Sequence, residues 1–119
     1  MKKLAKILTV LILALSLSAC GENNTNKYLE DGKNALANEQ YEQAFLDFKA
    51  VLHENKDNEE AITLSNIVLS YLQAKKYYDD DNFYLAKKAL DNIDPSYTQY
   101  KKLKENIDSL KSKIDEALS

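Results

Sequence analysis

Tyr41-Glu42-Gln43-Ala44-Phe45-Leu46-Asp47-Phe48-Lys49-Ala50-Val51-Leu52 carries the first clear structural signal in the chain. Tyr41, Ala44, Phe45, Phe48 and Leu52 recur three and four residues apart, the spacing that lines side chains along one face of a helix. A helix over residues 40–54 follows, and its stripe needs a partner. Upstream, Tyr28, Leu29, Gly32, Ala35 and Leu36 fall on one side of a shorter helix over 27–38. The link Asn38-Glu39-Gln40 is so short that these two helices can only fold back antiparallel.

Downstream, Ile62, Leu64, Ile67, Val68, Leu69, Tyr71, Leu72 and Ala74 spread around much of the circumference of a helix over 58–78. A helix apolar on several sides belongs in the middle of a layer. Asp79-Asp80-Asp81 breaks the pattern, Phe83, Ala86, Leu90 and Ile93 mark a fourth helix, and Asp94-Pro95 stops it. From Ser96 to Leu118 a narrow seam of Tyr100, Leu103, Ile107, Leu110, Ile114 and Ala117 is flanked by lysines and carboxylates at heptad-like spacing. That last helix either caps the stack with its one apolar stripe or uses it to join copies of the chain. Two glycines, one proline and no tryptophan in 119 residues leave few turns for a many-stranded sheet, which agrees with an all-α fold of about five helices.

The residues Tyr28, Gly32, Tyr41, Ala44, Phe48 and Leu52, with the turn start Tyr41-Glu42-Gln43-Ala44, resemble a tetratricopeptide repeat. Phe83-Tyr84-Leu85-Ala86 repeats the signature, followed by Ala89-Leu90 and Asp94-Pro95. The resemblance spans residues 27–95 and implies antiparallel hairpins stacked as a short right-handed array, closed by a long C-terminal capping helix. It departs from the family at Asp31, Ala35 and Lys56, and the interval from Ala44 to Ala86 exceeds the family's period, so the third helix is longer than usual.

The N-terminus has a separate logic. Met1-Lys2-Lys3-Leu4-Ala5-Lys6 is a basic segment, and Ile7 to Leu17 is an apolar run too short to span a hydrocarbon core that needs roughly 20 residues. Leu17-Ser18-Ala19-Cys20 resembles the lipobox of bacterial lipoproteins, in which the cysteine receives a diacylglyceryl group and the chain is cut just before it. The resemblance implies a signal peptide over 1–19, a lipidated Cys20 with a flexible polar tether over 20–26, and a helical domain over 27–119. Two acyl chains on Cys20 meet the requirement for stable anchoring, which one chain does not. The expected location is the extracytoplasmic face of a cell membrane. All cations are lysine and asparagine is abundant, an AT-rich signature that leans toward a Gram-positive host.

Loss of Lys2, Lys3 and Lys6 with the signal leaves 13 lysines against 19 carboxylates, a net charge of −6 that argues against nucleic acid as a partner. No phosphate loop, GxSxG or CxxC occurs, and no cofactor motif is present. His53 is the only histidine and stands near a helix end. Asp79-Asp80-Asp81-Asn82 lacks the sixth-position glycine and twelfth-position acid of a calcium loop, where Tyr84 and Leu90 stand, so Asp81 or Asn82 is expected to cap a helix instead. These features favour a non-enzymatic, membrane-tethered helical scaffold that holds an envelope protein, with Tyr71, Tyr77, Tyr78, Tyr84 and Tyr97 as the candidate contact face. The alternatives are a self-associating structural lipoprotein using the C-terminal helix, or an accessory protein that binds a solute or an anionic wall polymer through Lys75-Lys76 and Lys87-Lys88.

Overall fold

The computed structural model describes residues 24–119, which form helices and no strand. α1 occupies residues 24–37, α2 Tyr41–Glu54, α3 Glu59–Asp79, α4 Phe83–Asp91 and α5 Lys101–Leu118, with a short 3-10 helix, Pro95–Gln99, ahead of α5. Consecutive helices pack on one another: α3 lies between α2 and α4, and α5 packs on α4 and touches α3 more lightly. The all-helical fold of about five helices expected from the sequence is therefore present. The expected signal, the lipobox and Cys20 lie outside the described residues.

Two boundaries differ from expectation. Residues 24–26, expected as flexible tether, already belong to α1. The helix propensities of Asn and Thr fall short of alanine by only up to about 0.7 kcal/mol per residue, which does not stop a helix whose later turns are packed. The expected helix over 96–118 is broken at Tyr100, whose backbone is extended (φ −110°, ψ 104°). Pro95 lacks an N–H, and Asp94 Oδ1 accepts hydrogen bonds from Ser96 N at 2.9 Å and Ser96 Oγ at 2.6 Å, so this segment winds into a tight 3-10 turn. Tyr97 points into the core, and Tyr100 then resets the chain so that the apolar seam of α5 faces inward.

Helix ends follow side-chain chemistry. Asn58 Oδ1 accepts from Ala61 N at 2.9 Å at the start of α3, and Asn82 Oδ1 accepts from Leu85 N at 3.4 Å at the start of α4. Of the two expected caps, Asn82 is the one used. Asp81 instead takes a left-handed conformation (φ 60°), as Glu39 does (φ 59°) at the end of α1. Both close their helices by the same paired bonds: Glu39 N to Leu36 O and Gln40 N to Ala35 O in one turn, Asp81 N to Tyr78 O and Asn82 N to Tyr77 O in the other. The hairpins α1–α2 and α3–α4 thus share one turn geometry at positions 42 residues apart, the interval that also separates Ala44 from Ala86.

One cluster of buried side chains joins all the elements. Its centre holds Leu36 of α1, Phe48 of α2, Leu64 and Ile67 of α3, and Leu103, Ile107 and Ile114 of α5. Gly32 lets α1 approach α2 closely, because a Cβ placed there would lie 2.5 Å from the Phe48 ring. Lys33 Nζ meets Glu60 Oε1 at 2.6 Å and ties α1 to α3. Along α2 the buried stripe is Tyr41, Ala44, Phe48 and Val51, with Phe45 and Leu52 half-buried. The α5 seam packs inward, as expected of a capping helix: Leu103, Ile107, Leu110 and Ile114 are buried in the chain's own core. Of the expected seam only Ala117 is exposed, and Tyr100 is half-buried.

Candidate functional site

The five tyrosines expected to form one contact face are separated by burial. Tyr71 (7% exposed) and Tyr97 (8%) are core residues. The Tyr71 ring packs edge-on against Tyr41 with centroids 5.0 Å apart. The Tyr97 hydroxyl donates to Asp108 Oδ1 at 3.4 Å and accepts from Lys111 Nζ at 3.1 Å, and that ammonium also lies 5.0 Å from the centre of the ring. Neither is available to a partner. Each packs against another helix, Tyr71 on α2 and Tyr97 on α5, so local spacing alone does not distinguish them from surface tyrosines. Tyr77 and Tyr78 are half-buried at the end of α3, with Tyr78 edge-on to Phe83 at 5.3 Å, and Tyr84 at the start of α4 is 69% exposed. Of the five, only Tyr77, Tyr78 and Tyr84 keep solvent-facing surface, all at this end of the α3–α4 hairpin.

A polar junction absent from the sequence reading crosses the fold. Asn106 Nδ2 of α5 donates to the Tyr41 hydroxyl and to Glu39 Oε1 at 2.9 Å, joining α5 to the α1–α2 turn across 65 and 67 residues. No local pattern announces a contact of that range. Burial pushes the Tyr41 hydroxyl above the usual tyrosine range, opposed by the Asn106 hydrogen bond, and burial also raises Tyr71 and Tyr100. Lys33 is raised by its hydrogen bond to Glu60, and Lys104 by its hydrogen bond to Asp108 at 2.6 Å. Asp108 is lowered by that same bond, and Asp94 by Ser96. Each shift moves its group away from neutral pH and holds it in its ordinary charge state, the reverse of what general acid–base work requires.

His53 is exposed in the last turn of α2, the normal setting for an imidazole beside helix carbonyls. Among the described residues no three His, Cys, Asp or Glu side chains are placed to hold a metal ion, and no helix is long and apolar enough to cross a membrane. Among the described residues, open clefts mark the surface. One of about 240 Å³ lies between α4 and α5, lined by Lys87, Leu90, Asp91, Lys111, Ile114 and Asp115. A second continues it past Tyr84 and Lys88 to Leu118. Lys87 pairs with Asp115 at 3.8 Å across this edge. Lys76 is engaged with Asp80 at 3.6 Å, so the dibasic pairs are balanced in part by neighbouring carboxylates.

Comparison with protein-family models, with curated proteins and with solved structures returned no match.

Proposed function

We propose that the chain is a lipoprotein anchored on the extracytoplasmic face of a cell membrane, where its helical domain serves as a protein-interaction scaffold of the envelope. The observation that carries this reading is the ordered series at the N-terminus: lysines, an eleven-residue apolar run over 7–17, and Leu17-Ser18-Ala19-Cys20. Given that anchor, the start of α1 no later than residue 24 leaves at most Gly21, Glu22 and Asn23 between Cys20 and a helix that runs on into the packed domain. An extended link of that size reaches roughly 3.5 Å per residue, so the domain is held close to the bilayer with the α1 N-terminus toward it. A tetratricopeptide-like arrangement is part of the proposal, supported by two hairpins with the same turn geometry and by the close approach at Gly32.

The contact face in this reading is Tyr77, Tyr78 and Tyr84, at the end of the domain opposite the α1 N-terminus. In-cell crosslinking followed by mass spectrometry tests it. A defined envelope protein is captured by the wild type and lost from the Tyr77→Ala variant, which spares the Tyr78–Phe83 packing. Capture that is unchanged in the variant removes this face from the account.

A further inference from the structure

We propose that the α4–α5 edge binds a second copy of the chain, the two related by a twofold axis parallel to these helices. α4 and α5 run antiparallel, so their exposed side chains form three levels. Tyr84 (69% exposed) stands beside Leu118 (45% exposed), Lys87 beside Asp115, and Asp91 beside Lys111. Leu90 and Ile114 close the bottom of the cleft as core residues, so the surface open to a partner is its charged walls and the Tyr84–Leu118 end.

A twofold axis along the cleft keeps every level at its own height and places α4 of one copy over α5 of the other. Tyr84, at the edge of the contact face proposed above, then faces Leu118 of the second copy and leaves Tyr77 and Tyr78 on α3 to the envelope partner; Lys87 faces Asp115, and Asp91 faces Lys111. The pattern is self-complementary in both charge and apolar surface. A perpendicular axis turns α4 end for end and brings lysine toward lysine at the Lys87–Lys88 level, which opposes that alternative. The parallel axis also leaves both α1 N-termini pointing the same way, so two copies dock while anchored in one membrane. The strength of the dimer, though not its geometry, rests on the anchoring proposed above. α4 has only nine residues, so the interface is small, and confinement to a membrane supplies the effective concentration that a small interface needs.

The test places a photo-crosslinking amino acid at Leu118 of the full chain expressed in cells. The expected product is a species of twice the monomer mass, with the crosslink mapped to the α4 segment around Tyr84. Lys87→Glu/Lys111→Glu alone and Asp91→Lys/Asp115→Lys alone each reduce that product at least tenfold, and co-expression of the two, differently tagged, restores it as a mixed pair. Because Lys111 also contacts Tyr97, circular dichroism of each variant accompanies the test. Tyr84→Glu, a change at an exposed side chain, abolishes the product independently. Absence of the dimer product in the wild type, or its survival through the charge reversals, overturns the proposal. A Cys20→Ser arm separates the two readings. If that variant fractionates as the wild type does, anchoring fails whether or not the dimer forms; if it leaves the membrane while wild type shows no dimer, the dimer alone fails.

Discussion

Replacing Gly32 with alanine provides a sharp test of the packing between α1 and α2. The added Cβ would lie 2.5, 2.8 and 2.9 Å from Phe48 Cε1, Cδ1 and Cζ, whereas non-bonded carbons rest at about 3.5–4.0 Å. Phe48 is fully buried, so its ring has no solvent to move into. Overpacking costs about 1–3 kcal/mol in general, and three contacts under 3 Å to a ring with no room to move put this case in the upper part of that range, about 2–3 kcal/mol, against a gain of about 1 kcal/mol from alanine's helix propensity over glycine. The net expectation is a loss of about 1–2 kcal/mol, or roughly 4–16 °C in Tm for a domain of this size. Phe48→Leu removes the ring atoms that clash. In that background Gly32→Ala changes sign and stabilises by up to about 1 kcal/mol, its propensity gain alone. Urea unfolding of the signal-free chain, followed by circular dichroism, reads all four species of the cycle. A Gly32→Ala protein as stable as wild type, or an equal loss in both backgrounds, rules out the Phe48 ring as the constraint on position 32.

Three further outcomes follow from local geometry. Asp81→Gly relieves a left-handed residue that carries a side chain and raises stability by about 0.5–1 kcal/mol, seen as a higher urea midpoint at unchanged slope; a lower midpoint contradicts the turn assignment. Asn106→Ala strips the Tyr41 hydroxyl and Glu39 of their donor and costs about 1–2 kcal/mol, whereas the same change combined with Tyr41→Phe costs less than the sum of the two. In pH, Tyr41, Tyr71, Tyr100 and Lys33 hold their protons more tightly folded than unfolded. Their contribution is complete below the unfolded values near pH 10 and is lost as pH rises through the folded ones. Asp94 and Asp108 work in the opposite sense: their contribution is present above about pH 4 and is lost as pH falls. Urea midpoints are therefore flat near neutrality and drop at both extremes, and Tyr71→Phe makes the alkaline fall shallower; an unchanged alkaline slope counts against the buried hydroxyl as its source.

The elements legible in the sequence were those with strong periodicity and local stops. The Tyr41–Phe48 stripe, the apolar run of α3 and the Asp94-Pro95 break each predict a structure that is present, because burial of a helix face imposes a period of three and four residues. Spacing does not choose between Val51 and Leu52, since both fall at allowed intervals from Phe48, and the position of α3 makes Val51 the buried one. Ile62 and Leu69, counted toward a helix buried on several sides, remain more than a third exposed. The break at Tyr100 was hidden because heptad-like spacing resumes immediately after it. Tyrosine was the least legible residue type: its ring suits a core and its hydroxyl suits a surface, so Tyr71 and Tyr84 look alike until the fold separates them. Charge pairing across the α4–α5 edge likewise becomes visible only when two helices are aligned.

Everything proposed about location depends on Cys20. Membranes from cells expressing the full chain, digested and analysed by mass spectrometry, show directly what begins the mature protein. The expected N-terminal peptide starts at Cys20 and carries the mass of a diacylglyceryl group, and the protein is released from the membrane in the Cys20→Ser variant. A mature chain that still begins at Met1, or one that begins near residue 20 with an unmodified thiol, contradicts lipid anchoring.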